Sequence, residues 1–427
     1  MKAKKLFNTN YILLFGYALI FFHLLYKGAI YYPDSPSYLE ANIFRSPGYP
    51  IFTRLIQVFS QNYFDYAILT IQILFNLFAI HILYKKVLDL LTLNLVFKIL
   101  LFAILVFPLF EPLLMANRIC SEAISYPLYL LFISFTLHFL FKKNNRSLIF
   151  LSISYVLLVL TRGQFLLLPI IIAFIYVLKW RKSIFKQEKL IPFFILLFIP
   201  LLPILLDKSY HKVKDGVFIS TPFKYVNAMA SALYVSEASN VNLFKDPDLK
   251  HIFKMSHDFT AKNNWLMSSK ERVSYAAYYN DFHGKLVHIC NTTFHNKGTQ
   301  YYLDKNQSIV KARTNIELAG KKMFPILIKN NFSKWFPLYL SNIIHGFKSV
   351  FLLIFIAIVL FFSGLKICRF YSDKFAILFL FSSFILINAL IVSFVSHSII
   401  RYLFYNYFLI FLIFVELYKL ILTKKND

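Results

Sequence analysis

Residues 375–395 read FAILFLFSSFILINALIVSFV, an apolar run without a single charged side chain. A helix of about 20 such residues crosses the hydrocarbon core of a lipid bilayer. Comparable stretches lie at 10–26, 66–84, 93–110, 123–141, 147–161, 163–179, 190–206, 340–362 and 402–419. The sequence therefore predicts an all-α integral membrane protein with about ten transmembrane helices.

The composition of the 427-residue chain excludes an ordinary soluble domain. Apolar residues make up 58% of it and charged residues 15%, against about 25% charged residues in soluble domains. Three cysteines are too few for a disulfide framework. The sequence has no Walker motif, which disfavours ATP-driven transport. Much of the net charge of +26 comes from short loops beside helices, and these loops have no interleaved aromatic residues, which argues against nucleic-acid binding.

Lysine and arginine are divided unevenly between the two sets of loops. One set holds 20 of them, in the short segments 2–5, 85–98, 142–146, 179–189, 366–374 and 419–425, and the opposite short loops hold six. Because cytoplasmic loops are enriched in basic residues, both termini are predicted to be cytoplasmic. The predicted location is the inner (plasma) membrane, with the first apolar stretch retained as a helix.

The composition changes between Asp207 and Tyr339, where Lys, Asn, Ser, His and Tyr replace the apolar runs. Helix-like stretches near 226–238, 247–262, 268–290 and 307–329 predict a small, mainly helical domain on the outer (periplasmic) side. The chain thus divides into a membrane region of about seven spans (1–206), this outer domain (207–339) and about three further spans (340–427).

The first outer loop, 27–65, has a distinctive order of residues. Asp34 precedes Ser35-Pro36, a typical helix start, and Arg45-Ser46-Pro47-Gly48-Tyr49-Pro50 leads into a second, amphipathic helix predicted at 51–64. Asp34 either complements the first helix dipole or takes part in chemistry.

This loop resembles the first outer loop of the C-type glycosyltransferases, which use polyprenyl-phosphate sugars and include protein O-mannosyltransferases and lipid A aminoarabinose transferases. Three motifs extend the likeness in matching order: Glu111–Glu122, Thr161-Arg162-Gly163 (with glycine where the family often has proline) and His397–Tyr402. The resemblance implies transfer of a sugar to a lipid, glycan or protein acceptor on the outer face. It implies no certain cofactor, although a divalent metal is possible.

The resemblance also assigns roles to residues. Asp34 would be the general base, and Glu122 a second acidic residue for metal or acceptor binding. Guanidinium groups hold phosphate in bidentate fashion, so outer-face arginines would bind the donor, with Arg401 ranked first. The full set of predicted substrate-binding residues is Tyr38, Arg45, Tyr49, Arg118, Arg162, His397 and Arg401.

Each role has a structural alternative. Arg162 and Arg401 would equally suit interfacial anchors that snorkel to lipid headgroups. Arg118 and Glu122 are four residues apart and would pair on one helix face, as His397 and Arg401 would share another. Tyr38 and Tyr49 are typical of packing or interfacial aromatics. For the whole protein, the alternatives are an O-antigen-type polymerase or ligase, or a non-enzymatic lipid or polysaccharide transporter.

Overall fold

The computed structural model describes residues 2–142, 144–267 and 274–425. These residues form helices and connecting turns with no β-strand among them, apart from an isolated bridge between Ile30 and Arg118. The α-helices are α1 (Lys2–Lys27), α2 (Ser35–Leu39), α3 (Gly48–Phe59), α4 (Phe64–Leu90), α5 (Leu95–Val106), α6 (Glu122–Phe141), α7 (Arg146–Thr161), α8 (Leu168–Trp180), α9 (Gln187–Phe198), α10 (Leu201–Asp215), α11 (Lys224–Tyr234), α12 (Pro247–Lys262), α13 (Tyr275–Val287), α14 (Gly298–Leu303), α15 (Ile309–Asn330), α16 (Phe332–Phe347), α17 (Val350–Arg369), α18 (Asp373–Val395), α19 (Ile400–Leu403) and α20 (Tyr407–Lys425).

Six segments of the described chain are long and apolar enough to cross a membrane. They are Gln61–Leu90, Glu122–Phe141, Gly163–Trp180, Val350–Arg369, Asp373–Val395 and Ile400–Leu422. The pair α9 and α10, bent by 43°, is a candidate for a seventh. The remaining expected spans, 10–26, 93–110 and 147–161, fall on shorter apolar helices. By length and composition the structure therefore supports six or seven spans, fewer than the ten expected.

The expected span 340–362 is interrupted. Helix α16 ends at Phe347, and α17 begins at Val350. Between them Lys348 has a φ of 57°, in the left-handed region that ends a helix. Because α17 carries large exposed apolar side chains such as Phe351, which is 85% exposed, its outer surface suits lipid rather than water.

Helices α11–α16 pack around an apolar core of their own, and we call them the inserted domain. Its centre includes the fully buried side chains of Val226, Phe253, Phe282 and Phe294. The expected stretch 268–290 corresponds to α13, which begins at Tyr275; residues 268–273 lie outside the described chain. A π-helix, His288–Lys297, continues α13 into α14.

Between α1 and α4, the chain forms two short helices over a small apolar core. Helix α2 begins at Ser35 as predicted, with Pro36 in its first turn. Helix α3 begins at Gly48 and ends at Phe59, so the predicted bounds 51–64 are displaced. Pro50 is tolerated in its first turn, where the amide N–H groups have no helical partner.

Candidate functional site

Five charged side chains from four separate parts of the chain meet where α2, α6, α7 and α19 approach one another. Asp34 Oδ1 accepts a hydrogen bond from Arg45 Nη2 at 2.7 Å, and its Oδ2 accepts one from Arg401 Nη1 at 3.0 Å. Arg401 also donates to Glu122 through Nε, and through Nη2 at 3.2 Å. Arg162 Nη1 lies 2.5 Å from Glu122 Oε1. We call these five residues the carboxylate–guanidinium cluster.

Asp34 stands at the edge of this cluster. It is the residue before α2, and its side chain makes no capping hydrogen bond to that helix. The carboxylate is 36% exposed and is turned toward Arg45 and Arg401. Burial raises the pKa of Asp34, but the two guanidinium groups outweigh burial and lower that pKa below its ordinary value. Asp34 is therefore ionised and reachable from solvent.

Glu122 lies at the inner side of the cluster and is the first residue of α6. Its side chain is 0% exposed, and both carboxylate oxygens contact guanidinium groups of Arg162 and Arg401. Ser121 Oγ donates a further hydrogen bond to Glu122 Oε2 at 3.2 Å. A buried carboxylate requires such compensation. Its surroundings leave no open face for a metal or an acceptor.

The snorkelling alternative for Arg162 and Arg401 is wrong. Their side chains are only 12% and 17% exposed and are engaged by Glu122 rather than extended toward headgroups. The Arg162 guanidinium carbon also lies 4.9 Å from the centre of the Tyr402 ring. Arg401 and Tyr402, the last two residues of the His397–Tyr402 motif, therefore both contact residues of the cluster.

The two tyrosines of the first loop have different surroundings. Tyr38 is buried beneath Arg45, whose guanidinium carbon lies 4.4 Å from the ring centre, and its hydroxyl is 3.1 Å from Ser121 Oγ. Tyr38 therefore supports the cluster directly. Tyr49 is fully buried and donates to Gln72 Oε1 at 2.8 Å. The substrate-binding role predicted for Tyr49 is wrong, because this side chain presents no surface to a substrate.

Arg118 does not join the cluster. It precedes α6 in irregular backbone, where Nη2 donates to the Pro112 carbonyl at 3.0 Å and the guanidinium covers the Tyr32 ring. The predicted pairing with Glu122 on one helix face is wrong, because α6 begins only at Glu122. The buried Arg118 therefore lacks the geometry predicted for a phosphate ligand beside Asp34.

His397 faces the inserted domain. Helix α19 begins at Ile400, so the prediction that His397 and Arg401 share a helix face is wrong. His397 Nδ1 lies 3.2 Å from His283 Nδ1 of α13. Within the described residues, no group of three or more His, Cys, Asp or Glu side chains is arranged to hold a metal ion.

Several residues that contact the predicted site residues were not identified from the sequence. Ser37 accepts from Arg45 Nε at 2.8 Å, and Ser121 lies within hydrogen-bonding distance of Tyr38, Arg162 and Glu122. Both serines are inside the quoted motifs, so proximity in sequence was an available signal. His283 had no such signal, because it is 114 residues from His397.

No protein-family model, curated protein or solved structure matches the chain. The likeness to C-type glycosyltransferases therefore stays a prediction drawn from motifs. The geometry of the cluster is the observation that bears on function.

Proposed function

We propose that the protein is a membrane glycosyltransferase that moves a sugar from a polyprenyl-phosphate donor to an acceptor hydroxyl. Such a transfer requires a base for the acceptor proton and positive charge for the departing phosphate. The observation that carries the proposal is the placement of the reachable carboxylate of Asp34 directly beside Arg45 and Arg401. A general base and phosphate ligands are thereby within one site.

The reaction is a single displacement. The acceptor oxygen attacks the anomeric carbon of the sugar, and the bond from that carbon to the phosphate oxygen breaks. Asp34 takes the acceptor proton, and the polyprenyl phosphate leaves with the bonding electrons. The guanidinium groups of Arg45 and Arg401 stabilise the added negative charge on the phosphate, because charge-assisted hydrogen bonds are the strongest available.

The ion pairs of Asp34 link donor binding to base strength. Arg45 and Arg401 lower the pKa of Asp34, which keeps it ionised but makes it a weak base. A donor phosphate competes with Asp34 for the same guanidinium groups. As those pairs weaken, the pKa of Asp34 rises toward its ordinary value, so Asp34 becomes a better base when the donor is in place.

Glu122 has a different part in this proposal. Its oxygens are occupied by Arg162 and Arg401, so it acts as a positioning residue rather than as a group that touches substrate. The negative charge of Glu122 holds the two guanidinium groups close together in a buried setting, where like charges would otherwise repel.

The proposal includes a topology of about ten spans in the inner (plasma) membrane, with cytoplasmic termini. The shorter apolar helices Tyr11–Lys27, Leu95–Leu109 and Arg146–Thr161 would be the additional spans. In this arrangement the cluster and the inserted domain lie on the outer face. The acceptor, whether lipid, glycan or protein, would approach from that side.

The test is a transfer assay with the purified full-length protein. It is offered a panel of radiolabelled polyprenyl-phosphate sugars with an envelope extract as the source of acceptor, and released polyprenyl phosphate is measured. We expect release from at least one donor, strongly reduced in Arg401→Ala. The matched control is Arg54→Ala, which removes an outer arginine whose contact is the Glu40 carbonyl. Equal release from wild type and Arg401→Ala would contradict the proposal.

A further inference from the structure

The chain segment that carries Arg401 into the cluster is held by the inserted domain. Residues 396–399 are not helical and connect α18 to α19. The hydroxyl of Tyr279, on α13, donates to the Ser398 carbonyl at 2.7 Å in a buried contact. One residue earlier, the rings of His397 and His283 lie 4.6 Å apart between centroids. Both contacts come from one face of α13.

Tyr279 is itself fixed from two sides. Its ring stacks on His283, with centroids 5.2 Å apart, and on His345 of α16, with centroids 3.4 Å apart. Helix α16 also packs closely on the segment: a Cβ at Gly346 would meet Leu403 Cδ1 at 2.8 Å and Ser398 Oγ at 3.3 Å. Two helices of the inserted domain, α13 and α16, therefore pack on residues 396–399, which lead to Arg401. We call this set of contacts the grip.

We propose that Tyr279 and His283 are positioning residues, which fix residues 396–399 and thereby hold the Arg401 guanidinium between Asp34 and Glu122. Arg401 lies two residues beyond this segment, in the first turn of the continuous helical stretch Ile400–Leu422. The first turn of a helix frays more readily than its middle. Contacts that fix the backbone just before this turn therefore help to hold the Arg401 side chain in place. The expected effect on donor binding rests on the proposed function, whereas the contacts of Tyr279 and His283 with residues 396–399 do not.

The contact between the histidines also makes the grip sensitive to pH. Two ring nitrogens 3.2 Å apart can share one proton, but two protonated rings would direct N–H donors at each other. The surrounding groups are Tyr279 on α13, His345 and Lys348 at the end of α16, and Tyr402 on α19. None of these groups brings a negative charge that would stabilise a second imidazolium.

The direction of the pH effect follows from burial. Burial, and then the neighbouring His283 and His345, lower the pKa of His397 to about 3 while it is held. A histidine released into water titrates near pH 6.5. As the pH falls from 7 to 5, the released state takes up a proton that the held state does not. Acid therefore favours release of the segment.

Hydrogen–deuterium exchange on the full chain in lipid nanodiscs tests the grip without any substrate. Tyr279→Phe keeps the stacked ring but removes the hydroxyl, which donates to the Ser398 carbonyl and lies 3.3 Å from His283 Nδ1. We expect exchange in the peptide 396–403 to become roughly fivefold to tenfold faster, as the loss of the hydrogen bond to Ser398 implies. The matched control is Tyr301→Phe, which removes a hydroxyl bonded to Asp248 elsewhere in the inserted domain. Unchanged exchange in Tyr279→Phe, or equal acceleration in both variants, would overturn the proposal.

A second variant tests the histidine contact. In wild type, exchange of the same peptide, corrected for intrinsic rates, should rise between pH 7 and pH 5. His397→Gln removes the titrating ring and should abolish this rise; a rise that persists would refute the role of the histidines.

A transfer assay then separates this proposal from the proposed function. Tyr279→Phe should raise the KM for the donor, with a melting temperature close to wild type. Faster exchange in a protein that transfers no sugar would refute the proposed function alone. Normal transfer with unchanged exchange would refute the positioning role alone.

Discussion

The carboxylate of Asp34 pairs with Arg45 and Arg401 and is also partly exposed to solvent. Asp34→Asn keeps the size of the side chain and an acceptor oxygen but removes the proposed base. We expect turnover to fall by about 10²-fold to 10⁴-fold, with expression and melting temperature nearly unchanged. Asp65→Asn is the control, because Asp65 is an exposed carboxylate at the start of α4 that accepts a hydrogen bond from the Tyr31 hydroxyl. Turnover close to wild type in Asp34→Asn would reduce Asp34 to an ion-pair partner.

Arg401 binds both carboxylates of the cluster through three nitrogens. Arg401→Lys keeps the charge but loses the planar fork, so we expect donor binding to weaken in part. Arg401→Ala should weaken it further. Equilibrium binding of the labelled donor, measured beside the melting temperature, distinguishes a lost phosphate ligand from a lost structural contact. Unchanged donor affinity in both variants would remove Arg401 from the phosphate site.

Glu122 is the buried partner of two guanidinium groups. Glu122→Gln leaves Arg162 and Arg401 less compensated in a buried setting. We expect it to lower the free energy of unfolding by about 3–5 kcal/mol, measured by denaturation in detergent. Glu111→Gln serves as the comparison, because Glu111 is an exposed carboxylate paired with Lys27, and it should cause no measurable loss. Similar stability in the two variants would contradict the buried role of Glu122.

At the scale of elements, the glycine of the Arg-Ser-Pro-Gly-Tyr-Pro turn is a packing contact. A Cβ at Gly48 would lie 2.6 Å from Thr161 Oγ1 and 2.9 Å from the Leu160 carbonyl oxygen. Gly48→Ala should therefore push α3 away from α7, which lowers both thermal stability and transfer. Gly163→Ala is the matched control, since a Cβ there meets nothing within 4 Å. Equal melting temperatures for the two variants would show that α3 adapts freely.

Sequence patterns predicted local structure well where a helix extends through the pattern. Ser35-Pro36 marked the start of α2, and most of the expected apolar stretches fall on helices, although 190–206 and 340–362 are each divided between two helices. The spacing arguments for Arg118 with Glu122, and for His397 with Arg401, were wrong. In both cases the helix begins after the first residue of the pair, at Glu122 and at Ile400, so a four-residue spacing does not place the two side chains on one helix face.

Contacts between distant elements were beyond sequence reasoning. The motifs predicted that Asp34, Arg162 and Arg401 lie on one face of the membrane. They did not predict which guanidinium group pairs with which carboxylate. The grip of Tyr279 and His283 on residues 396–399 joins segments more than 110 residues apart. Such contacts depend on how the inserted domain packs on the membrane helices, and no local periodicity encodes that packing.

At the scale of the whole molecule, the distribution of basic residues predicts which side each loop occupies. Cys120 and Cys290 are buried and Cys368 is exposed, so Cys368 serves as an internal reference for the side predicted to be cytoplasmic. A cysteine at exposed Ser239, in the inserted domain, should react with an impermeant maleimide in intact cells. Cys368 should react only after lysis. The reverse labelling pattern would show that the topology is opposite to the predicted one.

In the proposed reaction, the carboxylate–guanidinium cluster promotes cleavage of the bond between the sugar and the lipid phosphate. Proteoliposomes that contain the purified protein, a polyprenyl-phosphate sugar labelled in the sugar and an acceptor extract give the most direct test. We expect wild type to release polyprenyl phosphate as the label moves to the acceptor, and Asp34→Asn to bind the donor without releasing phosphate. Labelled donor that crosses the bilayer intact, with no phosphate released from any donor of the panel, would contradict a transferase and favour a transporter.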